Sequence, residues 1–191
     1  METAGAKQIQ HYLFSNDLFP VLQSAYRPKH SIETARLKFP NDILLKMNYQ
    51  RVTLLLLLDL NADFGTVDHD TLLHQLQFTI GINGKVLSWF SFYLSGRSQQ
   101  IAFNETLSAE FELQCGVPRG SCLGPLSFTL YSSKLFEIIK HHFPTVHFYA
   151  DDTQAHISFC PKDRLDQLNA GELLESCITD IRSWMLHDNL K

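Results

Sequence analysis

Three carboxylates stand where chemistry could be done. Asp59 ends the uninterrupted apolar run Val52 to Leu58, and Asp151-Asp152 sits between two short alternating segments, Val146 to Ala150 and Gln154 to Phe159. An acid at the end of a strand buried on both faces needs a partner or a metal, because an unpaired buried charge is costly. Mg²⁺ binds through one or two carboxylates plus substrate phosphates. Two such ions about 3.5–4 Å apart can activate an attacking oxygen and stabilise a leaving one in phosphoryl transfer. Each piece alone has an ordinary reading. Asp-Asp in a turn is common turn chemistry, and Asp59 could cap a following turn. The combination points to metal-assisted chemistry.

The surrounding sequence must position these acids. Gln8 to Phe19 reads as an amphipathic helix, with Ile9, Tyr12, Leu13 and Leu18 inward. Ser31 to Tyr49 is helical in pattern, with a break expected at Pro40, which removes an N–H and crowds the preceding turn. Val52 to Leu58 is too short for a helix and reads as a strand buried on both faces. Helices are expected over 68–77, capped by Asp68 or Asp70, and over Gly84 to Leu94. A hairpin is expected around Asn104-Glu105, flanked by Gln99 to Phe103 and Glu110 to Gln114. The glycine- and proline-punctuated loop Gly116 to Pro125 leads into a helix running to about Lys140, and a last helix covers about Glu172 to His187. Strands and helices mix without regular βαβ alternation, so the class is α+β.

Composition bounds the alternatives. The chain has 191 residues, 45% hydrophobic and 19% charged, which is incompatible with disorder and sufficient for a core. No apolar stretch approaches the length needed to span a bilayer, and the polar first ten residues lack a secretory h-region, so an intracellular protein of nucleus or cytoplasm, not a secreted one, is expected. Cys115, Cys122, Cys160 and Cys177 form no CxxC pair and read as reduced, buried thiols. His69 and His74, five apart, do not share a helix face as metal ligands would. The net charge of −4 is unevenly spread: residues 1–58 carry +3 and residues 59–191 carry −7. The acidic part holds the proposed metal site, where bound cations would offset charge.

Leu58-Asp-Leu-Asn-Ala-Asp-Phe-Gly-Thr-Val-Asp-His69, Gly116-Val-Pro-Arg-Gly-Ser-Cys-Leu-Gly-Pro125 and Phe148-Tyr-Ala-Asp-Asp152 resemble, in order, motifs A, B and C of non-LTR (LINE-type) retrotransposon reverse transcriptases. Gln23-Ser-Ala-Tyr-Arg-Pro-Lys-His-Ser-Ile-Glu-Thr34 is similar to that family's fingers block, and Trp184 to Lys191 to the start of motif D. The resemblance implies a polymerase palm, an antiparallel sheet with helices packed on one face, over residues 59–191. A partial helical fingers segment would span 1–58, the thumb would be absent, and the motif D lysine would lie outside the chain. It implies RNA-directed DNA polymerase activity with Mg²⁺ (two ions, Mn²⁺ able to substitute), an RNA template, a DNA primer and deoxynucleotides. No membrane partner is expected. Asp59, Asp151 and Asp152 would be the catalytic, metal-binding acids. Leu60, Phe64, Tyr149 and Arg27 would contact the nucleotide, with the Phe64 ring against the sugar and Arg27 suited to phosphate. Gly116, Pro118, Arg119 and Gly120 would approach template and primer.

Two residues depart from the family pattern: Gly65 stands where an aspartate is usual, and Arg119 where a glutamine is usual. Together with Pro40 and the absent thumb they motivate the competing reading, an inactive remnant acting at most as a nucleic-acid-binding or interaction module. Exposed apolar palm surface, and hence dependence on further chain or a partner, is the matching expectation.

Overall fold

A computed structural model describes residues 2–27, 30–59, 64–118, 120–150 and 152–187. In chain order the elements are α1 (Glu2–Ser15), α2 (Ile32–Asn48), β1 (Val52–Asp59), α3 (His69–Phe78), α4 (Gly84–Leu94), β2 (Ser98–Gln99) and β3 (Ala102–Phe103). They continue with β4 (Thr106–Leu107), β5 (Phe111–Glu112), α5 (Gly124–Tyr131), α6 (Ser133–His142), β6 (Thr145–Tyr149), β7 (Asp152–Phe159) and α7 (Arg164–His187). The described residues gather into two units. One draws on Met1–Leu18 and Ala62–Tyr131, the other on Phe19–Asn61 and Ser132–His187.

In the first unit α3 packs on α4 and α5. Leu72 and Leu76, four apart on one face of α3, are fully buried, as are Phe90 and Leu94 on α4 and Leu123 just before α5. Asp68 starts α3 by accepting a hydrogen bond from Thr71 N at 2.8 Å, so of the two acids that could cap this helix Asp68 is the one used. α1 begins at Glu2, earlier than its apolar pattern suggests, and buries Ile9 and Leu13 while the Tyr12 hydroxyl donates to Ile80 O. The expected hairpin forms in two short pieces, β2 with β5 and β3 with β4. Asn104 and Glu105 turn the tip with φ of 44° and 62°, which suits the twist of flanking strands.

The second unit is built on an antiparallel sheet ordered β1-β7-β6. Phe148, Val146 and Ala155 are buried on one face, where Phe148 lies 4.1 Å ring to ring from Phe136 of α6, and α6 and α7 pack on each other. Burial of a side chain such as Phe148 is worth about 1.5–3 kcal/mol. On the other face Phe39 of α2 meets the rings of His147 and His156 edge-on at 6.4 and 5.6 Å.

Four expectations are corrected. β1 is an edge strand: only Leu56 is buried, and Leu55 and Leu57 are exposed, because β7 is its sole sheet neighbour among the described residues. α2 runs through Pro40, its contacts with β1 and β6 holding a helix that the missing N–H weakens. The helix expected from Pro125 to Lys140 is interrupted, with Ser132 at φ −81°, ψ 0° between α5 and α6. Cys115 and Cys122 are exposed rather than buried, whereas Cys177 is buried and its thiol is pushed up to about 11 by desolvation. No disulfide forms among the described cysteines.

Candidate active site

The acids meet through strand register. In the second unit Asp59 pairs directly with Asp152 across β1 and β7, and Tyr149 pairs with Asp152 across β6 and β7. Directly opposed residues of antiparallel strands point to the same face, with Cβ atoms about 4.5–5.5 Å apart. Asp59, Asp152 and Tyr149 therefore form a row across one end of the sheet, on the face that also carries His147 and His156. Both carboxylates are exposed, so the expectation that Asp59 needs a partner because its strand is buried does not hold. A different force replaces it. Two like charges placed directly opposite repel, and a cation between them removes the repulsion.

β6 ends at Tyr149 and β7 begins at Asp152, its direct partner. Ala150 is left-handed at φ 56°, a conformation that costs a residue with a Cβ roughly 1–2 kcal/mol. Gln23, fully buried, offsets that cost. Its Oε1 accepts from Ala150 N at 2.9 Å and its Nε2 donates to Ala150 O at 3.0 Å. The same Oε1 accepts from Ala25 N, and the backbones of Leu22 and Ser24 bond to Phe148. No local signal marks Gln23 for this role, although it is the first residue of the fingers-like block.

In the first unit residues 64–67 and the glycine-rich loop lie backbone to backbone. Gly116 N donates to Val67 O at 2.7 Å, Val117 N donates to Phe64 O, and Cys115 Sγ donates to Gly65 O at 3.2 Å. Gly116 has φ +90°, and a Cβ there would lie 2.8 Å from Gly65 Cα, so this approach requires glycine. The Gly116 carbonyl accepts from His69 Nε2 at 2.8 Å and Arg97 Nη1 at 3.0 Å, so the His69 ring carries its proton on Nε2. Neither residue was legible as a loop anchor. The half-buried Phe64 ring sits edge-on to Phe128, centroids 5.5 Å apart. Pro118 O accepts from Ser121 N at 3.3 Å, and Gly120 is left-handed at φ +76°. Glu2 Oε1 accepts from Leu123 N and the Tyr93 hydroxyl. Desolvation pulls the Glu2 carboxyl upward, but these hydrogen bonds prevail and hold it below its ordinary value.

Asp59, Asp152 and Tyr149 are thus brought together in one unit, and Phe64, Gly116 and Pro118 in the other. Arg27 donates from Nη1 to Val21 O at 2.7 Å, within its own loop. Asp151, Leu60 and Arg119 lie outside the described residues. A Cβ added to Gly65 would meet nothing within 4 Å, so a side chain is sterically admissible there. Among the described residues no three metal-ligating side chains cluster. The donor set of Asp59 and Asp152 fits Mg²⁺, which takes one or two protein carboxylates and completes its shell with water and phosphate. His147 and His156 are both held below the ordinary histidine range, chiefly by burial.

The antiparallel sheet with the acid row at its end in one unit, and the helices with the glycine-held loop in the other, are each α+β architecture consistent with part of a polymerase fold. The sequence model of the family described as "Reverse transcriptase (RNA-dependent DNA polymerase)" matches residues 1–191, and the chain belongs to that family. It is similar to the "Probable RNA-directed DNA polymerase from transposon X-element" of Drosophila melanogaster, 28% identical over 127 residues. That alignment covers 66% of this chain and 14% of the relative, so the chain spans a small part of that protein's length. Among the described residues no helix is long and apolar enough to cross a membrane.

Proposed function

We propose that this chain carries the site for RNA-templated DNA synthesis by a retrotransposon, in which a primer 3′-oxygen attacks the α-phosphate of a deoxynucleotide and pyrophosphate leaves. The observation that carries the reading is the direct register of Asp59 with Asp152, two exposed like charges on one face. Asp59 and Asp152, with Asp151 beside them in sequence, would hold divalent metal, which when bound supplies charge neutralisation at the reacting oxygens. Phe64 would face the sugar and disfavour a 2′-hydroxyl by steric exclusion. Tyr149, Leu60 and Arg27 would line the nucleotide, and the Gly116 to Gly120 loop would bring backbone close to template and primer. Residues 59–191 would form the palm and 1–58 a partial fingers segment, with the palm sheet starting at Val52 because β1 is one strand across that boundary. The partners would be an RNA template, a DNA primer and deoxynucleotides. Metal-dependent extension of a primer on RNA, lost in Asp59→Asn, supports this reading. Extension that is indifferent to that substitution overturns it.

A further inference from the structure

We propose that Gln23 is a positioning residue for the start of β7, its side-chain amide holding Ala150 left-handed and so setting where Asp152 stands relative to Asp59; this rests on the functional reading above. One amide takes both backbone polar groups of a single residue, accepting from Ala150 N at 2.9 Å and donating to Ala150 O at 3.0 Å. That is a peptide-like pairing, and it requires a donor and an acceptor at one side-chain length. Gln23 has no exposed surface, so loss of the amide leaves partly buried backbone groups of Ala150 without that partner. Ala150 has φ 56°, and alanine, unlike glycine or asparagine, has no preference for that region. The turn therefore takes its shape from a residue 127 positions away. Gln23 also bonds Ala25 N, and Ser24 N donates to Phe148 O, so the strand-like segment leading to Arg27 is fixed to β6 by the same contacts. Asp152, two residues after Ala150, begins β7 in register with Asp59, so a rotated turn shifts one acid against the other.

The test uses Gln23→Leu, the isosteric Gln23→Glu, and each combined with Ala150→Gly. Displacement of a reacting group by about 1 Å can cost 10²-fold in rate, so kcat for primer extension is expected to fall by about that factor with a much smaller change in KM for the deoxynucleotide. Ala150→Gly, which reaches a left-handed turn without help, is expected to restore much of kcat in both backgrounds. Failure of glycine to restore kcat in a variant that melts cooperatively overturns the proposal. An activity-independent readout separates the two hypotheses: amide exchange at Ala150 in the parent is slow and accelerates at least about tenfold in Gln23→Leu, a lost hydrogen bond of ordinary strength. Fast Ala150 exchange in the parent overturns the clamp. Slow exchange in a parent that extends no primer upholds the clamp and overturns the functional reading instead.

Discussion

Replacing Asp152 or Asp59 by asparagine should stabilise the sheet while removing metal-dependent function. The two residues are directly opposed and exposed, a register that sets their Cβ atoms about 5 Å apart, and that figure serves as the charge separation. At that separation in a water-like dielectric their repulsion is about 0.8 kcal/mol, within the range measured for cross-strand pairs. For a chain of this size that corresponds to a rise in Tm of roughly 2–3 °C in low salt. Raising NaCl to about 1 M shortens the screening length to about 3 Å and should erase most of the difference. Mg²⁺ should raise the parent's Tm by occupying the same position, and should do much less for either variant. Calorimetry in low salt, high salt and Mg²⁺ reads all three. A variant melting at or below the parent in low salt, or an equal Mg²⁺ response in parent and variants, refutes the claim that the acids face one another across β1 and β7.

Gly116→Ala should destabilise the chain by about 2–4 kcal/mol, combining left-handed strain with the 2.8 Å approach to Gly65 Cα, whereas Gly120→Ala, with open space around it, should cost only about 1–2 kcal/mol; urea unfolding separates the two. Phe64→Val should lower discrimination against ribonucleotides by roughly 10–10²-fold, measured as the ratio of kcat/KM for matched deoxy- and ribonucleotides. His147 and His156 are held neutral by burial, with folded pKa values below the unfolded 6.5, so the unfolded chain binds more protons as pH falls. Stability is therefore fully present above about pH 6.5 and declines below it by up to about 1.4 kcal/mol per pH unit for each group, until pH passes the folded values. Melting curves between pH 5 and 8 should show this decline, with a shallower slope for His156→Phe.

The sequence showed the acids and their strand ends clearly because these are local signals. The apolar run stopping at Asp59 and the alternating segments that flank Asp151-Asp152 need no knowledge of neighbours, and Asp68 is one of two acids spaced to cap α3. What escaped depends on partners distant in the chain. Five consecutive leucines at 54–58 read as a strand buried on both faces, yet strand position in a sheet is not encoded in periodicity, and β1 lies at an edge. Pro40 argues for a break by its local cost, which packing of α2 on the sheet outweighs. Gln23, His69 and Arg97 are ordinary polar residues until the fold brings them to Ala150 O and Gly116 O. The pairing of Asp59 with Asp152 itself follows from register, which neither segment specifies alone.

The central claim is that the paired acids support RNA-templated DNA synthesis. Its most direct test is single-nucleotide incorporation by the full chain into a DNA primer annealed to RNA, titrated with Mg²⁺, beside Asp59→Asn and Asp151→Ala. The expected result is template-directed incorporation that saturates with Mg²⁺ in the parent and vanishes in both variants. Absence of incorporation by a folded parent that binds the RNA–DNA duplex, or equal incorporation by the variants, would contradict it.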